Sequence, residues 1–308
     1  MTPRGKRRPV HGVLLVDKPA GMSSNAALQK ARYLLNAEKA GHTGTLDPFA
    51  DGLLPVCLGE ASKFASWQLE ADKRYRAQLC LGVTTTTGDP EGEILGQTLP
   101  QVDQAGLQAV LAEFRGESLQ TPPMYSALKV DGKPLYEYAR AGIELPRKAR
   151  PIQIHDIRLL SFDLPYAEIE VLVSSGTYVR TLAEDIGRRL QCGAHLVRLT
   201  RLASGGFSLD RAIGLAAFEA LSVEQRESRL LPADALVGHL PRLDPGEPEA
   251  SRLQQGQRVR LQDQPEAEGR YRIYAEAGFV GLADLVDGGL LVPLRMMQSS
   301  GVNRQGNI

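Results

Sequence analysis

The sequence predicts a two-domain α+β protein, on three observations. Residues 74–82 alternate, with Tyr75, Ala77, Leu79 and Leu81 on one side and Arg74, Arg76 and Gln78 on the other, as a half-buried strand does; residues 167–174 repeat this, with Ala167, Ile169, Val171 and Val173 against Glu168 and Glu170. Residues 178–191 instead carry Val179, Leu182, Ala183, Ile186 and Leu190 at helical spacing. From Leu240 the composition changes: Leu-Pro-Arg-Leu-Asp-Pro-Gly-Glu-Pro-Glu reads as a linker, and short strand-like pieces alternate with turns up to about residue 297. That pattern predicts a small β-barrel over 240–298 behind a larger domain over 11–239.

In order along the chain, residues 1–10 read as a disordered basic tail, and Gly12–Val16 as a buried strand ending in the turn Asp17-Lys18-Pro19-Ala20-Gly21. Ser23 or Ser24 can cap a helix through about residue 35, with Ala27, Ala31, Leu34 and Leu35 on one face. A loop is expected over 36–55, the strand 74–82 after it, and a polar turn from Thr84 to Gly92. A helix near 103–115 would bury Leu107, Val110, Leu111 and Phe114. Residues 121–150, rich in Pro, Gly, Lys and Tyr, read as an extended, mobile excursion with a short helix around 134–141. Strands at 152–160 and 167–174, the helix 178–191 and a strand at 195–202 complete the larger domain, and 299–308 reads as a frayed tail.

The chain has 308 residues, 43% hydrophobic and 23% charged, enough apolar material for a sizeable core. No apolar run is long enough to span a bilayer, and the basic start runs into Pro9, His11 and Gly12 instead of a signal-peptide core. Cys57, Cys80 and Cys192 stand far apart, which fits a reduced, cytoplasmic chain and argues against a zinc cluster or a disulfide scaffold. The net charge is zero, which counts against nucleic-acid binding until its distribution is considered. Residues 1–80 hold 12 basic and 7 acidic side chains and residues 129–201 hold 12 and 9, so positive charge gathers in the stretches that carry the motifs below.

The most informative run is Gly41-His42-Thr43-Gly44-Thr45-Leu46-Asp47-Pro48-Phe49-Ala50-Asp51-Gly52-Leu53-Leu54-Pro55-Val56. It sets a carboxylate in a glycine- and proline-punctuated loop, five residues after a histidine. Taken alone, an aspartate before proline is equally a turn residue bonding local amides. A second run, Ser174-Ser175-Gly176-Thr177-Tyr178-Val179-Arg180-Thr181-Leu182-Ala183-Glu184-Asp185-Ile186-Gly187, places Arg180 on the first turn of a helix, where by itself it could face water. Lys73-Arg74-Tyr75-Arg76-Ala77 puts Tyr75 on the apolar side of its strand, and Val197-Arg198-Leu199-Thr200-Arg201 is a further strand segment. The segment 121–140 mixes Lys129, Lys133 and Arg140 with three tyrosines, a composition that can grip RNA by phosphate contact and stacking or simply pack a surface loop.

These runs, in this order over residues 11–215, resemble the tRNA pseudouridine-55 synthases of the TruB family. The resemblance implies a mixed, mainly antiparallel sheet with packed helices and a cleft across it. It implies isomerisation of uridine 55 in the T-loop of tRNA, by cleavage of the C1′–N1 bond, rotation of the base and formation of a C5–C1′ bond. No atoms are gained or lost, so neither cofactor nor metal is expected. Asp47 would be the catalytic carboxylate, acting as nucleophile or as base. Arg180 would pair with it and hold it ionised. Tyr75 would be the second catalytic side chain, stacking on the uracil and helping to remove the C5 proton, with Tyr178 and Leu199 lining the pocket. His42 would fill the stack vacated by the flipped base, and Lys18, before Pro19, would support the site. The segment 121–150 would close over the RNA. The C-terminal piece resembles a PUA-like domain more weakly, through Gly256…Val259, Gly281-Leu-Ala-Asp and Val292-Pro-Leu-Arg. One departure is Thr86, where members often have Asp.

The expected partner is the T-arm of tRNA, met by a monomer with no membrane association and no protein partner required. Two other classes stay open on the residues alone. A non-catalytic protein that binds or folds tRNA on the same fold would tolerate Asp47→Ala. A nucleosidase-like hydrolase would release free uracil, but such enzymes usually pair two carboxylates, and nothing marks Asp51 as a partner for Asp47.

Overall fold

The computed structural model describes residues 7–262 and 267–298. The expected tail 299–308 and residues 1–6 lie outside the described residues. Within the remainder of the expected basic tail, Arg8 is tied to the body: its amide donates to the Asn36 carbonyl and its guanidinium pairs with Glu227.

The larger unit opens with β1 (Gly12–Lys18), α1 (Ser24–Leu34), β2 (Ala40–His42), β3 (Asp51–Leu58), α2 (Ala65–Leu69) and β4 (Lys73–Leu81). A hairpin of β5 (Val83–Thr85) and β6 (Ile94–Gln97), then α3 (Gln104–Glu113) and β7 (Gly116–Gln120), lead into the excursion. There β8 (Lys129–Val130) and β9 (Lys133–Pro134) form a hairpin before α4 (Leu135–Arg140). Asp131 and Gly132, both at positive φ, supply its two-residue turn. The chain returns through β10 (Arg150–Asp163), β11 (Tyr166–Val173), α5 (Val179–Arg189), β12 (Ala194–Ser204), β13 (Phe207–Ser208), β14 (Ile213–Gly214), α6 (Leu215–Ala220) and α7 (Val223–Glu227).

Ten of these strands form one sheet in the order β14-β1-β3-β12-β4-β11-β10-β7, with β2 on β3 and β13 on β12. Only the β1–β14 and β3–β12 pairs are parallel, so the sheet is mixed and mainly antiparallel, as expected. Helices α3 and α5 bury Leu107, Leu111, Leu182, Ala183 and Ile186 against Ala77, Leu79, Ile169 and Val171. Ser23 caps α1 by accepting from the Ala26 amide, and Asp103 caps α3 by accepting from Gly106.

The expected loop 36–55 is the main correction. Its second part is β3, which lies beside β1 and is buried on both faces: Leu54 and Val56 meet α1, while Leu53 and Cys57 meet the opposite core. Such a strand shows no alternation, and Pro55 hides it further. Pro55 has no amide to donate, but its carbonyl accepts from Thr43 where β2 ends. The register puts Gly52 against Arg201, where a Cβ would stand 2.5 Å from the Arg201 carbonyl oxygen; only glycine, at φ +99°, fits.

The predicted linker is also corrected. Residues 240–249 hold β15 (Arg242–Leu243) and the start of α8 (Glu247–Gln254), because Pro248 suits a first helical turn and Ala250 and Leu253 have a core to enter. With β16 (Val259–Arg260), β17 (Gly269–Ala275), β18 (Gly278–Val286) and β19 (Leu290–Met296), β15 builds the five-stranded sheet β15-β17-β18-β19-β16, a curled half-barrel consistent with a PUA-like unit. Phe279, Leu282 and Met297 of this unit share one core with Val13, Leu53, Phe64 and Leu236.

Candidate active site

Asp47 sits on the loop between β2 and β3, half-buried. Its Oδ2 lies 3.0 Å from Arg180 Nε, and its Oδ1 accepts from Nη2 at 3.4 Å. Arg180 does not face water. It is 4% exposed, and its remaining donors are spoken for: Nη1 reaches the Thr87 carbonyl at 3.0 Å and Asp89 Oδ2 at 3.2 Å, and Nη2 donates to the Tyr125 carbonyl at 2.6 Å. One guanidinium therefore joins the Asp47 loop, the 86–89 turn and the start of the excursion to α5. The first turn of α5 is itself held by Gln120 at the end of β7, whose side-chain amide accepts from the Tyr178 N–H at 2.8 Å and donates to the Tyr178 carbonyl at 3.1 Å.

Two carboxylates share this guanidinium, so neither has its positive charge to itself. Burial raises the Asp47 pKa, Arg180 opposes it, Asp89 adds to the rise and Lys18 opposes it; the balance is upward. Arg180 thus holds Asp47 in place and offsets only part of its desolvation.

Tyr75 on β4 and Leu199 on β12 are buried in the same core cluster as Leu46 and Val179, the residues that immediately precede Asp47 and Arg180, and as Ala50 further along the Asp47 loop. Tyr178 precedes α5, with its phenol pKa raised mainly by burial and perturbed by both Arg180 and Asp47. His42 ends β2, and its Nδ1 accepts from the Gly44 amide at 3.4 Å, which leaves Nε2 as the protonated nitrogen of the neutral ring. Burial and then Arg201 lower its pKa, which keeps it neutral. Lys18 is fully buried at the end of β1; its ammonium donates to the carbonyls of Pro19, Met22 and Pro48, at 3.0, 2.6 and 3.5 Å. Burial lowers its pKa to about 8. Lys18 therefore supports the loop from beneath.

Lys129, Lys133 and Arg140 are not brought into this cluster. They stand exposed on the excursion, Lys133 over the Tyr138 ring at 4.9 Å and Arg140 over Tyr136 at 5.4 Å. Asp89 and Gln120 were missed in the sequence. For Asp89 the available signal was the polar run Thr84–Thr87 followed by Gly88: Thr87 and the Glu91 amide both bond its Oδ1, and Arg180 binds the other oxygen. Thr86, the departure noted above, accepts from the Glu93 amide within this turn.

A mixed sheet carrying a half-buried carboxylate on a buried arginine, with a tyrosine and a leucine in the adjoining core, is an arrangement capable of acid–base or nucleophilic chemistry. Comparison with known proteins is consistent with it. Residues 32–179 match the N-terminal domain of the TruB family pseudouridylate synthases, 180–238 the tRNA pseudouridylate synthase B C-terminal domain, and 242–297 the pseudouridine synthase II TruB C-terminal domain. The chain is 56% identical to tRNA pseudouridine synthase B of Chromobacterium violaceum, covering 96% of this chain and 97% of the relative. It is also 56% identical to the tRNA pseudouridine synthase B of Thiobacillus denitrificans, over 94% and 97%. Among solved structures, a chain of a Cbf5-Nop10-Gar1 complex superposes with a TM-score of 0.71 at 26% identity, covering 95% of this chain and 87% of that one. The chain belongs to the TruB family of pseudouridylate synthases.

Proposed function

We propose that this chain isomerises uridine 55 in the T-loop of tRNA to pseudouridine, with Asp47 as the catalytic carboxylate. The observation that carries the reading is the fixed Asp47–Arg180 pair beside buried Tyr75 and Leu199. A planar base extracted from its stack would lie against Tyr75, with Tyr178 and Leu199 closing its pocket. Asp47 would act at the ribose or base as the C1′–N1 bond breaks. After rotation of the base, C5 bonds to C1′, the C5 proton is lost to solvent and N1 gains one. The neutral imidazole of His42 is shaped to occupy the vacated stack.

The excursion 121–150, which meets Arg180 through the Tyr125 carbonyl, would close on the bound RNA and offer Lys129, Lys133 and Arg140 to its phosphates. The unit from 240 to 298 would extend the RNA contact. Work as a cytoplasmic monomer, without a protein partner, is part of the same proposal. Unmodified tRNA transcript tritiated at uracil C5 tests it: wild-type protein should release tritium and leave a carbodiimide-dependent primer-extension stop at position 55. Release of free uracil would indicate a hydrolase, and binding without release a folding or binding protein.

A further inference from the structure

Arg201 is the largest side chain among those buried almost completely, with 1% exposure, and no carboxylate among the described residues lies within ion-pair distance of it. Its partners are backbone carbonyls. Nε donates to the Leu53 carbonyl at 2.7 Å and Nη2 to the Gly44 carbonyl at 3.1 Å. Gly44 lies three residues before Asp47, and Leu53 lies six after it, at the start of β3. One rigid fork therefore spans both stems of the loop that presents Asp47. The Arg201 backbone is fixed in turn, paired with Gly52 on one side and Tyr75 on the other.

We infer that Arg201 is a positioning residue, which sets the distance between the two stems of the Asp47 loop and so holds Asp47 at its working geometry. This rests on the reading of Asp47 as the catalytic carboxylate. A planar guanidinium can bond two separated carbonyls along fixed directions, whereas an ammonium on a flexible stem supplies the charge without the fork. A buried cation bonded only to carbonyls is also poorly explained as an ion-pair stabiliser. The consequence lies in the chemical step: a loop displaced by a fraction of an ångström leaves RNA contacts intact but misplaces the carboxylate.

The test compares Arg201→Lys and Gly44→Ala with wild type by single-turnover tritium release and by filter binding of tRNA. Gly44 adopts φ +130°, which an L side chain takes only with strain, while a Cβ there would make an ordinary contact, 3.5 Å, with Arg201 Nη1, so Gly44→Ala strains the stem that Arg201 holds without clashing with the guanidinium. Arg201→Lys should lower the single-turnover rate by at least about tenfold with tRNA affinity within about twofold of wild type. Combining both substitutions should cost less than the product of their separate effects. A wild-type rate in Arg201→Lys would overturn the inference, as would equal losses of rate and affinity. Should Arg201→Lys fail to fold, Gly44→Ala decides alone: a slower rate at unchanged affinity supports the role, and an unchanged rate overturns it. An Asp47→Asn control separates the two claims, because activity retained there would refute the reading of Asp47 itself.

Discussion

At Asp47, burial and the Asp89 carboxylate favour the protonated acid, while Arg180 and Lys18 favour the carboxylate, and the sum is upward. If the ionised form does the work, activity falls as pH drops through this raised pKa, at a higher pH than an exposed aspartate would show. Asp89→Asn removes a like charge, so the acid limb of the single-turnover rate should move to lower pH; a shift upward would contradict this electrostatic account. Lys73 gives a separate prediction. Burial lowers its pKa to about 8, and its ammonium bonds the carbonyls of Leu69 and Ala71. Between about pH 8 and the unfolded value of about 10.4, the unfolded chain binds more protons, so this residue's term makes stability rise with pH. Urea denaturation from pH 8 to 10 should show wild type gaining on Lys73→Met by roughly 2 kcal/mol. Asp47 and Arg180 were legible because long flanking runs surround them. Asp89 was not: the polar run Thr84–Gly88 marks a turn, but nothing in it says that the turn folds back onto α5.

Among the elements, α5 matters most, because its first turn aims Arg180 inward. Gln120 substitutes for a side-chain cap there, bonding both backbone groups of Tyr178. Gln120→Ala leaves a buried amide without its partner and should lower stability by about 1–3 kcal/mol, measured by urea denaturation. No change would show that water replaces the Gln120 amide at no loss. The alternating strands β4 and β11 and helices α1, α3 and α5 were readable from periodicity, because each sets polar side chains opposite an apolar face. β3 was not, since both its faces are buried and Pro55 mimics a loop signal. The start of α8 was hidden by three prolines around Gly246, although proline in a first helical turn is compatible with a helix.

Across the whole molecule, the two units share a core in which Phe279 packs against Phe64 with ring centroids 5.2 Å apart. Phe279→Ala should lower stability by about 3–5 kcal/mol, and calorimetry of the wild type should show one transition; two well-separated transitions would mean that the units are independent. Charge segregation in the sequence overstated the basic surface. Lys18, Lys73, Arg180 and Arg201 all belong to the basic stretches and all are buried, so none of them adds to a basic face. The cations of the excursion are exposed, and on the proposed reading that they meet phosphates, Lys133→Gln should reduce the salt dependence of tRNA affinity by about one counterion. The central claim is that Asp47 isomerises a uridine in bound tRNA. The most direct measurement is single-turnover tritium release by Asp47→Asn on C5-tritiated transcript, with tRNA affinity measured in parallel. The account predicts no detectable release at wild-type affinity; release within tenfold of wild type would contradict it.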